Sequence, residues 1–89
     1  MTEPAFKMEQ VPLSAVQVGK PATVVSVEGG QALRDRLRAL GIREGAVVFK
    51  MSESLGHGPV VVRHGRNQTA LGHKICQKII VMTEIHSTP

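Results

Sequence analysis

Short bursts of alternating apolar and polar residues run along most of the chain, and one stretch breaks that rhythm. Ala22-Thr23-Val24-Val25-Ser26-Val27 is short and rich in β-branched residues, which predicts a strand. From Ala46 to Ser52 the alternate positions are Val47, Phe49 and Met51, which predicts a second strand with those three on its core face. Val60 to His64, Thr69-Ala70-Leu71 and Ile79 to Ile85 predict three more, with Gly65-Arg66-Asn67 as a hairpin turn. The exception lies between the first two strands. Leu33, Leu37 and Leu40 stand at i, i+4 and i+7, one apolar stripe of a helix over about residues 30–40.

The boundaries of that helix are marked. Gly29-Gly30 ends the preceding strand and reads as a turn that uses glycine's conformational freedom. Gly41 is placed to be the left-handed residue past the helix end, with Ile42 folding back onto Leu37 in a Schellman stop. Arg36 and Arg38 lie near the C-terminal end, where positive charge complements the helix dipole. Gly72 to Cys76 predicts one further helical turn. Residues 1–10 mix charge and polarity and read as a flexible tail, residues 11–85 as the domain, and 86–89 as a C-terminal tail. The expected fold class is mainly β, a small five-stranded barrel with one helix inserted after the first strand. Closing the sheet would remove its open edges.

Size and composition narrow the function. The chain has 89 residues, enough for one domain with one modest core, so a deep multi-residue active site is not expected. Phe6 and Phe49 are its two aromatics, so Val, Ile, Leu and Met must fill the interior. The single Cys76 cannot form an internal disulfide and reads as a small buried residue. No N-terminal apolar segment resembles a signal peptide, and no apolar run is long enough to span a bilayer, so a cytoplasmic protein that is not membrane-embedded is expected.

Candidate chemistry is sparse. The glycine pair matches neither a P-loop nor a dinucleotide fingerprint. His73 and Cys76 stand three apart and one helical turn would bring them to one face, but a structural zinc site needs four ligands; no cofactor is expected. No nucleophile elbow is present, and the acidic residues are scattered, so no enzyme is expected. The net charge of +4 is spread along the chain. Arg34, Arg36, Arg38, Arg43, Arg63 and Arg66 could meet phosphates, but Tyr and Trp are absent and the chain lacks a platform for stacking bases, so nucleic acid is not the expected partner.

Several of these residues, in their order and spacing, resemble the FeoA family of bacterial ferrous iron uptake. Pro12-Leu13-Ser14 and Val18-Gly19 resemble its opening. Val24 to Gly30, followed by Leu33, Arg34, Arg36, Leu37, Leu40-Gly41-Ile42 and Gly45, resemble its helix block. Leu55-Gly56 with Pro59-Val60 resembles its central loop, and Ala70-Leu71-Gly72 with Lys78-Ile79 and Val81 its closing segment. His73, Lys74 and Cys76 depart from the family's usual residues there. The resemblance implies an SH3-like barrel and a non-enzymatic module contacting the cytoplasmic part of FeoB, a membrane ferrous iron transporter. Arg34 and Arg38 on the helix, with Leu55, His57 and Pro59 in the loop, are the candidate contact residues. A nucleic-acid-binding barrel and a metal-binding regulatory domain, with His73 and Cys76 as ligands, stand as the alternatives.

Overall fold

A computed structural model of the chain describes residues 6–53, 56 and 58–86. Its elements run β1 (Phe6–Pro12), a 3-10 turn (Leu13–Ala15), β2 (Pro21–Val27), α1 (Gln31–Ala39), β3 (Val47–Glu53), β4 (Val60–His64), β5 (Asn67–Leu71), α2 (His73–Lys78) and β6 (Ile79–His86). The strands form one antiparallel sheet in the order β1-β6-β2-β3-β4-β5. The mainly β class, the helix between two strands and a helical segment near 72–76 are as expected.

Several features differ. The sheet has six strands, because residues 6–10, expected in a flexible tail, continue the pairing of β1 with β6 from Phe6↔His86 to Pro12↔Ile80. That strand is held by a partner some seventy residues away in sequence, which local hydropathy does not register. β1 and β5 are the ends of the strand order, and no pairing joins them among the described residues. Among these residues the expected closure of all edges therefore does not occur. Finally, Gly29 and Gly30 do not adopt positive φ. What Gly29 supplies is space, since a Cβ there would sit 2.8 Å from Leu33 Cδ2.

The core lies inside the curl. Val24, Val48, Val60, Val62, Ile79 and Val81 line it from the strands, and Leu37, Leu13 and Cys76 seal it from α1, the 3-10 turn and α2. The β-branched strand residues suit a pleated, half-buried surface, which is why these segments pair. Two β-bulges bend the sheet. The register shifts between Val24 and Ser26 against β6, and between Lys50 and Ser52 against β4. Each extra residue increases local twist and lets the sheet wrap its core.

The second bulge has a chemical consequence. β3 presents Val48 and Lys50 to the interior, both with no exposed surface, while Val47 and Met51 are exposed and Phe49 is half-buried. The face expected to be the core face is thus the outer one. Apolar residues occupy both faces of this strand, and a lysine between them pointed the alternation the wrong way. Its stem runs through the core, and its Nζ donates to the Ser14 carbonyl at 2.9 Å and to Glu53 Oε2 at 3.0 Å. Residues three apart on a regular strand face opposite ways; the residue inserted at Met51 returns Glu53 to the side of Lys50. The ammonium therefore ties β3 to the 3-10 turn. On the outer face, the Arg63 guanidinium covers its cross-strand neighbour Phe49 at 4.8 Å from the ring centroid.

Because the stem and the charge of Lys50 contribute separately, two substitutions separate them. Lys50→Ala removes packing and the bond to Ser14, and costs roughly 2–4 kcal/mol. Lys50→Met retains the stem and leaves the Ser14 carbonyl without its donor, costing about 1–2 kcal/mol. Urea unfolding measures both, and equal losses would contradict the split.

Candidate partner-docking surface

A polar concavity lies where α1 ends. Gly30 is its N-cap, with no side-chain cap, and the Arg34 guanidinium bonds back to the Gly29 carbonyl through Nη2 at 2.9 Å and Nε at 3.3 Å. Arg34 is exposed but committed locally. Asp35, which would be a natural partner for Arg38, instead accepts from Gln31 Nε2 at 2.8 Å. Arg38 has no ion-pair partner among the described residues.

The helix stop follows the expected Schellman geometry. Gly41 has φ of 86°, its amide donates to the Arg38 carbonyl at 2.9 Å, and the Ile42 amide donates to the Leu37 carbonyl at 2.8 Å. Gly41 is required twice, because a Cβ would also stand 3.1 Å from His64 Nδ1. The reversal sends Ile42 into the core and leaves Leu40, at the C-cap, 40% exposed. Leu40 therefore does not complete the apolar stripe. The core takes Leu37 and Ile42, with Leu33 packed at its margin.

After the reversal, Gly45 and Ala46 pair with Val24, which fixes the returning chain beside β2. Between this segment and the β4–β5 hairpin lies an open depression of about 650 Å³, lined among others by Arg38, Leu40, Arg43, Glu44, His64 and Asn67. The His64 ring is almost wholly buried, with Nε2 3.4 Å from Thr69 Oγ1, and forms its wall. The depression offers an exposed leucine beside two arginines. Such a surface fits an acidic segment carrying an aliphatic side chain.

The other candidate residues are distributed differently. Pro59 is exposed just before β4, while Leu55 and His57 lie outside the described residues. His73 begins α2, half-buried, and lines a separate open depression with Lys74 and Ile75. Cys76, three residues on, has no exposed surface. Burial pushes its thiol up from 9.0 to about 11, with the Lys50 charge opposing that rise. The thiol is therefore protonated at neutral pH, whereas metal binding and nucleophilic attack use the thiolate. Among the described residues, no three His, Cys, Asp or Glu side chains come together in a metal-binding group. Leu40 and Asn67 were not singled out from the sequence as site residues, and Arg43 was named there only among the arginines that could meet phosphates. The signal for Leu40 was present in Gly41, since a residue just before a left-handed stop is turned off the helix stripe.

A small curled antiparallel sheet with an inserted helix is the architecture of an SH3-like domain. The FeoA domain family matches residues 11–83, and the chain belongs to the FeoA family. A search of curated proteins gives no match. Solved structures agree. An iron uptake regulatory protein, FeoA, is 28% identical with a TM-score of 0.77, over 86% of this chain and 100% of that one. FeoA from Chlorobium tepidum is 26% identical with a TM-score of 0.76, over 82% of this chain and 70% of that one. FeoA from Stenotrophomonas maltophilia, described as a prokaryotic SH3 domain protein and crystallised with zinc, is 26% identical with a TM-score of 0.71, over 83% of this chain and 94% of that one.

The state of Cys76 is open to a direct test. A group whose folded pKa is raised contributes stability below its unfolded pKa and loses it as pH rises through the folded value. Stability should therefore fall between pH 9 and about 11 by roughly 2–3 kcal/mol. The comparison is with Cys76→Ala, which should lack that part of the slope. At neutral pH a thiol reagent should label Cys76 only in denaturant; rapid labelling of the folded protein would contradict the burial.

Proposed function

We propose that this chain is a non-enzymatic, cytoplasmic accessory of ferrous iron uptake that docks on the cytoplasmic part of a FeoB-type transporter. The observation that carries the reading is the FeoA family match across residues 11–83, most of the chain. Two features of the surface support it. No helix among the described residues is long and apolar enough to cross a membrane, which fits an accessory acting beside a membrane transporter. The depression at the end of α1 combines Leu40 with Arg38 and Arg43, an apolar anchor with flanking charge.

Within this reading the arginines have different weights. Arg38 faces the depression without an ion-pair partner among the described residues and is the better contact. Arg34 already bonds the Gly29 carbonyl and contributes long-range charge. Pro59, with Leu55 and His57 of the central loop, remains a second candidate contact. The module acts by binding, on GTP turnover, assembly or the transport gate, and supplies no reacting group of its own.

Pull-down of the transporter's cytoplasmic domain, with and without guanine nucleotide, tests the docking. Arg38→Glu should weaken association roughly tenfold and reduce its salt dependence, while Arg34→Glu should have a smaller effect. Equal effects would remove the depression from the interface. A strain lacking the gene should take up ferrous iron poorly under anoxic conditions, and normal uptake would overturn the transport reading.

A further inference from the structure

We propose that the free edge of β1 pairs with the same edge of a second copy of this chain, forming an antiparallel dimer centred on Met8. β1 is one end of the sheet: all of its pairing is with β6, and its other side has no strand among the described residues. An open strand edge presents unpaired backbone donors and acceptors, and proteins usually blunt such an edge with charged side chains, proline or a bulge. Along this stretch β1 has no bulge and no internal proline, and its two charged residues, Lys7 and Glu9, are of opposite sign, so they can attract a second copy as well as repel one. The pairing with β6 shows no register shift, and its one proline, Pro12, stands at the strand's end.

The charges on the edge are of opposite sign and flank an exposed apolar residue. Lys7 and Glu9 are exposed, and Met8 is 60% exposed. On β6 the residues opposite the two charges are Ile85 and Thr83, and neither charge has an ion-pair partner among the described residues. In an antiparallel pair centred on Met8, Lys7 of each copy faces Glu9 of the other, and the two methionines meet on the two-fold axis. Opposite charges directly across an antiparallel ladder attract, and like charges repel. Centring the pair on Lys7 or on Glu9 would oppose two like charges, and parallel in-register pairing would oppose like charges at both positions. Of these registers, the one centred on Met8 sets opposite charges against each other at both positions. The other sheet edge, β5 (Asn67–Leu71), carries no charge and makes no comparable choice. The interface is closed and isologous, so association stops at the dimer. It is also short, which makes the dimer weak and concentration-dependent.

Charge reversal tests the register without disturbing the core. Sedimentation velocity of the full chain across a dilution series should show a monomer–dimer equilibrium. Lys7→Glu and Glu9→Lys, each replacing two attractive pairs by two repulsive ones, should each weaken dimerisation by roughly tenfold or more, and the double reversal should restore it. Residues directly opposed in an antiparallel ladder are close enough for a disulfide, so M8C should oxidise to a covalent dimer while K7C, offset from its own copy, should not. A chain that stays monomeric throughout, a dimer indifferent to the single reversals, a double reversal that fails to rescue, or equal cross-linking of M8C and K7C would each overturn the proposal.

Discussion

The Ile42 amide reaches back 2.8 Å to the Leu37 carbonyl, and the shape of the domain's basic surface depends on that bond. It exists because Gly41 adopts a φ that other residues resist, and because the absence of a Cβ there lets the His64 ring close against the turn. The reversal exchanges one apolar side chain for another. Ile42 enters the core beside Leu37, and Leu40 is left outside. The same turn carries Arg43 to the depression that Arg38 also lines, with the buried His64 as its wall.

The interior rests on a second constraint, a lysine where hydropathy expects none. Burying an ammonium is costly unless its donors are used, and Lys50 uses them on the Ser14 carbonyl and on Glu53. The bulge at Met51 makes the second contact possible by turning Glu53 to the same side. No buried side-chain polar atom among the described residues lacks a partner. A polar bond at the base of the core thus joins the 3-10 turn to β3, while valines and isoleucines do the remaining packing.

How much of this was legible depended on whether the signal was local. The helix, its glycine stop and most strands are specified within a few residues, and they stand where the pattern placed them. β3 did not, because Val47, Val48, Phe49 and Met51 make both of its faces apolar, and a one-residue error in facing exchanges core for surface. Deciding the face required knowing that Lys50 has a carbonyl to meet, a contact thirty-six residues away. β1 was missed for the same reason: its charged residues are acceptable in a strand only because β6 supplies the ladder. Of the site, Arg34 and Arg38 were named from the helix, but their different roles came from the Gly29 carbonyl and from the depression. Leu40 was assigned to the apolar stripe of the helix and lies off it, exposed.

The proposed docking then becomes a question of which face meets the partner. The end of α1 offers charge, concavity and an exposed leucine; the outer face of β3 offers Val47 and Met51, with Phe49 covered by Arg63. Hydrogen exchange of the full chain, with and without the cytoplasmic domain of a FeoB-type transporter, distinguishes them most directly. Protection concentrated in residues 38–46 and 64–67 is the result predicted by docking at the end of the helix. Protection confined to residues 47–51 and 60–63, with residues 38–46 unchanged, would contradict it.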